Sequence, residues 1–271
     1  MKAANNYIVK SAAKAVRLLQ VLGSADKPEL GVSELARRCS YNKNQTFRLL
    51  KTLEAEHFVE QNSVTGAYRL GLGIFSLADR ARHGISLVRA AAPVLDRLAA
   101  ATGETVHLAA HRGLEAVVVD VRESSQNVRL TATAGGRYPL HAGACPQAIL
   151  AFLPANEQEQ VLERLSSLPR YTEKTELDRR RLLERLMKVR RMGFAVSDED
   201  VDTMARSVGA PILDRTGYPV GAVSAEGPAS RLSLDMVSHC AELVRTAAAD
   251  ISARLGLLQE ANGSEAGEVI P

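Results

Sequence analysis

Between Val32 and Leu70 the apolar residues keep helical spacing twice and then switch to strand alternation. Val32, Leu35, Ala36 and Cys39 share one face of a short helix. Ser40-Tyr41-Asn42 breaks it, and the spacing predicts a second helix from about Lys43 to Ala55 with Phe47, Leu50 and Leu53 inward. At about 100° per residue, Asn44, Gln45, Arg48 and Lys51 fall on the opposite side. Phe58–Gln61, a turn at Thr65-Gly66 and Ala67–Leu70 then read as a hairpin. Two short helices, a tight turn and a two-stranded wing make a winged helix-turn-helix.

That geometry gives the outer face a meaning. Arg grips guanine with two hydrogen bonds, and Asn or Gln does the same to adenine. Asn44, Gln45 and Arg48, in the N-terminal half of the helix, are the expected base readers. Lys51 and Lys43 suit backbone phosphates, while Thr46 leans inward. Two alternatives stay open. Asn42 with Gln45 resembles a capping box, which would occupy Gln45 at the helix start. Arg69 on the wing could meet DNA or stand as a solvated strand residue.

Charge follows the motif. Residues 1–78 hold eleven Lys or Arg against six acids, a net +5 in a chain whose total is +3. Positive charge concentrated on the motif is what counterion release from double-stranded DNA requires. Aromatics are only 4% and Trp is absent, which argues against a stacking platform for single strands.

The remaining chain is long enough for a second domain. Ser11–Leu22 reads as an amphipathic helix capped by Ser11 and stopped by Gly23, preceded by a loose stretch at 1–9. The expected division is a DNA-binding domain at 1–72, a linker helix at 73–84, a second domain at 85–258 and a disordered tail at 259–271. The second domain opens with an Ala-rich helix interrupted or kinked near Pro93. From Glu104 the period shortens. Thr105–His111, Ala116–Val121 and Val128–Thr133 read as an antiparallel meander. Helices follow at Pro146–Leu153, Glu157–Leu165 and Glu176–Met192, then strands at Phe194–Val196, Ala205–Leu213 and Val220–Glu226. Asp214–Gly217 is the turn between the last two, and Leu234 to about Leu257 a final helix. The fold class is therefore α+β.

The ordered segments Val32–Ala36, Phe47–Leu53, Gly66–Gly71, Pro139–Ala142, Ala148–Phe152, Arg191–Ala195, Ala210–Asp214 and Gly227–Leu232 resemble the IclR family of bacterial transcriptional regulators. The resemblance runs from about Ser11 to Leu257. It implies a GAF-like C-terminal effector-binding domain, operator DNA as partner, and self-association as a dimer or tetramer. It further implies that the Gly143–Pro146 loop holds a small organic acid, with contacts at Ala144 and Cys145 and others at Ser197, Ser207, Ser224 and Glu226. The chain departs from the family pattern at Pro146 and Gln147, where Gly and Lys are usual, and at Glu226, where a small hydroxyl residue is usual. An ionised Glu226 would repel a carboxylate.

Other functions are weakly supported. His141 and Cys145, with Asp120 or Glu226 to orient the imidazole, would be needed for a Cys–His nucleophile, yet no oxyanion device accompanies them. The three cysteines are widely spaced and form no metal-ligand set, so no metal or cofactor is expected. No apolar run approaches the roughly 20 residues of a membrane span. The chain lacks an N-terminal secretory signal, so a cytoplasmic protein is expected. The runner-up reading is a DNA-binding regulator whose second domain serves assembly alone.

Overall fold

The computed structural model describes residues 8–84, 86–131 and 133–265. The chain divides into two compact units, residues 1–82 and 83–271. Part of the stretch expected to be loose, residues 1–7, lies outside the described residues.

The first unit holds α1 (Lys10–Gly23), α2 (Val32–Cys39), α3 (Lys43–Ala55), β1 (Val59–Gln61) and β2 (Tyr68–Leu70). Leu18 and Leu22 of α1, Leu35 of α2, Leu50 and Leu53 of α3, and Val59 and Tyr68 of the wing form one core. Leu30 adds a bridge to Tyr68, exchanging both backbone hydrogen bonds with it. The turn between α2 and α3 works because Ser40 adopts a left-handed conformation and the Tyr41 amide closes onto Ala36 O. Ser11 does not cap α1: the cap lies two residues earlier, at Val9, and the helix begins at Lys10. Helix α4 (Gly73–Gly84) follows the wing.

In the second unit, β3 (Thr105–Arg112), β4 (Glu115–Arg122), β5 (Arg137–Pro139), β6 (Ala195–Asp198), β7 (Ala205–Leu213) and β8 (Pro219–Pro228) form an antiparallel sheet ordered β5-β4-β3-β8-β7-β6. Alternation sorts its two faces. Val106, Leu108, Val208, Ala210, Ile212, Val223 and Ala225 pack against α5 (Ser86–Thr102) and α9 (Leu234–Glu265). Ala109, Ala116 and Ala222 face α6 (Ala144–Phe152) and, behind it, α8 (Arg179–Met192). Helix α7 (Ala155–Leu162) contributes Val161 and Leu162 to that second core.

Four expectations are corrected. Helix α5 is not interrupted at Pro93: it is continuous from Ser86 to Thr102, and the neighbours Ala90, Ala91, Val94 and Leu95 are buried in the core and offset the missing amide bond. Val128–Thr133 is not the third strand. The Gly135 amide and Gly136 carbonyl take the backbone slots of Val118, so β5 occupies that edge. Pro146 is the third residue of α6, not the first. Finally, α9 continues to Glu265, so the helix enters the stretch expected as a tail; Leu258, Gln259, Glu260 and Ala261 are good helix formers and carry it past Leu257. Residues 266–271 lie outside the described residues.

Candidate DNA-reading face and effector cavity

Helix α3 buries Thr46, Leu50 and Leu53, a stripe at i, i+4 and i+7. The Thr46 hydroxyl donates to Asn42 O at 3.0 Å, so its burial leaves no unpaired polar group. Phe47 is therefore turned outward and is 45% exposed, contrary to the inward position expected from its hydrophobicity. Lys43, Asn44, Gln45, Arg48 and Lys51 are all exposed. Asn44, Gln45, Phe47, Arg48 and Lys51 line one shallow surface depression.

The capping alternative for Gln45 is resolved by the bonds at the helix start. Asn42 Oδ1 accepts from the Asn44 amide at 2.8 Å, a single-residue cap. Gln45 instead accepts from Lys14 Nζ of α1 at 2.9 Å. Lys51 is already engaged: its ammonium donates to Glu54 at 2.7 Å and to Gln61 at 3.0 Å, and lies 5.8 Å from the Phe47 ring centroid. The Glu54 hydrogen bond holds the Lys51 pKa above its ordinary value. Arg69 pairs across the wing with Glu60 at 3.0 Å, both exposed.

In the second unit a cavity opens between the sheet and the start of α6. All six residues matched to family effector contacts line it: Ala144, Cys145, Ser197, Ser207, Ser224 and Glu226. Register explains the gathering. Ser197 pairs with Ser207, and Ser207 with Glu226, placing the three in one row across β6, β7 and β8. Ser224 sits two residues from Glu226 and so shares its face. Helix α6 can lie this close because Gly209 has no side chain; a Cβ there would come within 2.8 Å of Ala144 backbone. Gly143, with φ of 91°, turns the chain into the helix. The Ala144 and Cys145 amides at the start of α6 have no carbonyl of a preceding turn to bond, and both residues line the cavity. The cavity holds about 70 Å³ of solvent-accessible space. At roughly 10–15 Å³ per water it admits a small metabolite.

His107, Tyr138, Asp202 and Arg206, none of them expected from the sequence, also line the cavity. His107 precedes Ala109 by two on β3, so it faces the cavity side, and its Nε2 lies 3.0 Å from Glu226 Oε2. Alternation along β3 could have found it. Burial pushes the Tyr138 phenol above its ordinary pKa, with the Glu226 and Asp202 charges adding to the effect. Arg206 is buried and spends its guanidinium on Asp198 at 2.6 Å and on the carbonyls of Ala229 and Leu232.

Gln147 does not line the cavity. It is buried, donating to His141 O at 3.0 Å and to Asp200 at 2.9 Å, while Ser197 donates to the same Asp200 carboxylate. The residue that replaces the family Lys thus braces the loop after β6.

The constellation for nucleophilic catalysis does not assemble. Cys145 donates to Ser224 Oγ at 3.1 Å, and burial pushes its thiol up to about 12, where it is no nucleophile. His141 Nε2 is hydrogen-bonded with Pro169 O at 3.0 Å and its ring stacks on Tyr171. Asp120 pairs with Arg122 at 2.9 Å and sits opposite Leu108, on the α5 face of the sheet. Among the described residues no group of three or more His, Cys, Asp or Glu could hold a metal, and no helix is long and apolar enough to cross a membrane.

Comparison with known proteins agrees with both halves. Residues 11–63 match the IclR helix-turn-helix domain, and residues 80–253 match the bacterial transcriptional regulator IclR C-terminal domain. The HTH-type transcriptional repressor AllR of Klebsiella pneumoniae is 34% identical over 249 residues, covering 92% of this chain and 91% of its own length. That of Salmonella typhi is 37% identical over 227 residues, covering 83% of each chain. An IclR transcriptional regulator from Alicyclobacillus acidocaldarius superposes with a TM-score of 0.85 at 26% identity, over 92% of this chain and all of that one. An IclR homolog from Microbacterium hydrocarbonoxydans, solved with 4-hydroxybenzoate, gives 0.78 at 25% identity, over 90% and 98%. The winged helix-turn-helix, the helix-flanked antiparallel sheet and these matches agree: the chain belongs to the IclR family of bacterial transcriptional regulators, which are sequence-specific DNA-binding proteins rather than enzymes.

Proposed function

We propose that this protein is a transcriptional repressor whose affinity for a palindromic operator is set by a small metabolite in the cavity under α6. The observation that carries the reading is the convergence of Ala144, Cys145, Ser197, Ser207, Ser224 and Glu226 on one cavity. A domain serving assembly alone has no need of such a space, so the cavity favours effector control. The repressor sign is supported by the relatives named as repressors, at 34–37% identity over most of the chain. The Microbacterium homolog with 4-hydroxybenzoate supports a small-molecule site in this fold.

Asn44, Gln45 and Arg48 read base edges, Lys43 and Lys51 hold phosphates, and Arg69 meets the backbone beside the wing. One α3 specifies few base pairs, so two copies bind two half-sites. The apolar side chains of Leu72, Phe75 and Leu77, exposed in the single chain around the start of α4, support self-association. An effector switches the protein only by binding its DNA-competent and incompetent states unequally.

Gel-shift binding to DNA from upstream of its own gene, at two salt concentrations, tests the DNA half. A sequence-specific shift that weakens with salt is expected. Binding that ignores salt, or no binding to any fragment of the host genome, overturns it.

A further inference from the structure

Resting on the effector reading, we infer that the cavity takes a small ligand that carries no carboxylate and donates an N–H or O–H to Glu226. This departs from the organic acid that family resemblance implies.

The charges lining the cavity decide it. Two lining groups can be cationic, Arg206 and His107. Arg206 is already opposed by Asp198 and two backbone carbonyls. His107 is opposed by Glu226 itself at 3.0 Å. Asp202 adds a second acid to the rim. No surplus positive charge is therefore left to balance an anionic ligand, and what remains for it is the partial charge of one helix start. A carboxylate entering this space would stand within a few ångströms of another carboxylate, and like charges at that range disfavour each other strongly.

The same residues suit a donor. One Glu226 oxygen holds His107, which leaves the other to accept. Among the described residues the Ser207 hydroxyl, beside Glu226 in the row, has no hydrogen-bond partner and can donate or accept. The start of α6 also lines the cavity through Ala144 and Cys145, whose amides have no carbonyl of a preceding turn and so can donate. A ligand with an oxygen toward Ala144 and Cys145 and an N–H or O–H toward Glu226 satisfies both walls, as a carboxamide, a hydroxy-amine or a polyol does.

Thermal-shift titration of the full-length protein with matched pairs tests this: acetate against acetamide, lactate against lactamide, benzoate against benzamide, with ethanolamine as the cationic arm. The amides or ethanolamine should raise the melting temperature of the wild type, and the carboxylates should not. Which of the two arms stabilises more separates a neutral from a cationic ligand. Glu226→Gln, isosteric and uncharged, and Glu226→Ser should shift the amide-to-acid preference toward the acid by about tenfold or more. A wild type stabilised by the carboxylates, or a preference unmoved in both variants, overturns the ligand class while leaving an effector site in place. No stabilisation of any of the three proteins by any probe overturns the class and the effector reading together.

Discussion

His107 on β3 and Glu226 on β8 are diagonal neighbours on one face of the ladder, because His107 registers with Ser224 and Thr105 with Glu226. Their side chains close to 3.0 Å in a part-buried setting. A carboxylate left there without the imidazole would lose its partner while still partly shielded from water. His107→Phe should destabilise the second unit by about 1–3 kcal/mol, read from the midpoint of its urea transition. The double variant His107→Phe with Glu226→Gln should recover part of the loss. A single variant as stable as wild type would show that the pair contributes no net stability.

The intramolecular bond from Lys51 to Glu54 competes with a phosphate for the same ammonium. Glu54→Gln should therefore raise operator affinity by up to about fivefold, the worth of an exposed ion pair. Lys51→Ala should weaken binding to all duplexes alike and lower the salt slope by about one. Fluorescence anisotropy across a salt series measures both. An affinity unchanged in Glu54→Gln would mean that Lys51 does not reach the backbone.

Arg48 and Phe47 stand side by side on the exposed face of α3 but should fail differently. Arg48→Ala should relax sequence preference at one base pair, at a cost of about 1–3 kcal/mol on the preferred site. Phe47, being exposed, should be replaceable by Ala without loss of folding. If its ring meets a thymine methyl, one uracil-for-thymine replacement in the half-site should weaken the wild type several-fold and leave Phe47→Ala unaffected. Equal effects of every uracil on both proteins would remove Phe47 from the reading face.

Burial holds the His141 imidazole below its ordinary pKa of 6.5, although the Pro169 carbonyl and the Asp200 charge act the other way. The unfolded chain thus takes up a proton before the folded one as pH falls through 6.5. Stability should be full above that pH and should decline on acidification until the folded imidazole protonates as well. His141→Gln keeps a donor for Pro169 O and should flatten this part of the melting-temperature profile between about pH 7 and 5. A wild-type profile with no such slope would show that His141 titrates alike in both states.

Local pattern made much of the architecture legible. The spacing of Leu35 and Ala36, then of Leu50 and Leu53, is set by 3.6 residues per turn. The runs of β3, β7 and β8, buried on both faces for most of their length, likewise stand out between turn residues without reference to the rest of the chain. Pattern misled where local preference and tertiary placement compete. Phe47 is apolar yet outward, because Thr46 fills the inner stripe and satisfies its hydroxyl within its own turn. The Val128–Thr133 alternation is strand-like, but the Gly135-Gly136 backbone holds the edge it would need.

Periodicity and composition are properties of neighbours along the chain, and they suffice for the winged helix-turn-helix, the helix-flanked strands and the concentration of positive charge near the motif. Tertiary structure alone decided what those elements bring together. Ser197, Ser207 and Glu226 become a row only through the registers of β6, β7 and β8. His107 reaches Glu226 only because β3 lies beside β8. Gln147 is drawn away from the cavity by Asp200, far along the sequence. Hydrogen-bond register between distant strands is set by the packing of the whole domain, so the chemistry of the cavity is written in contacts that no local pattern encodes.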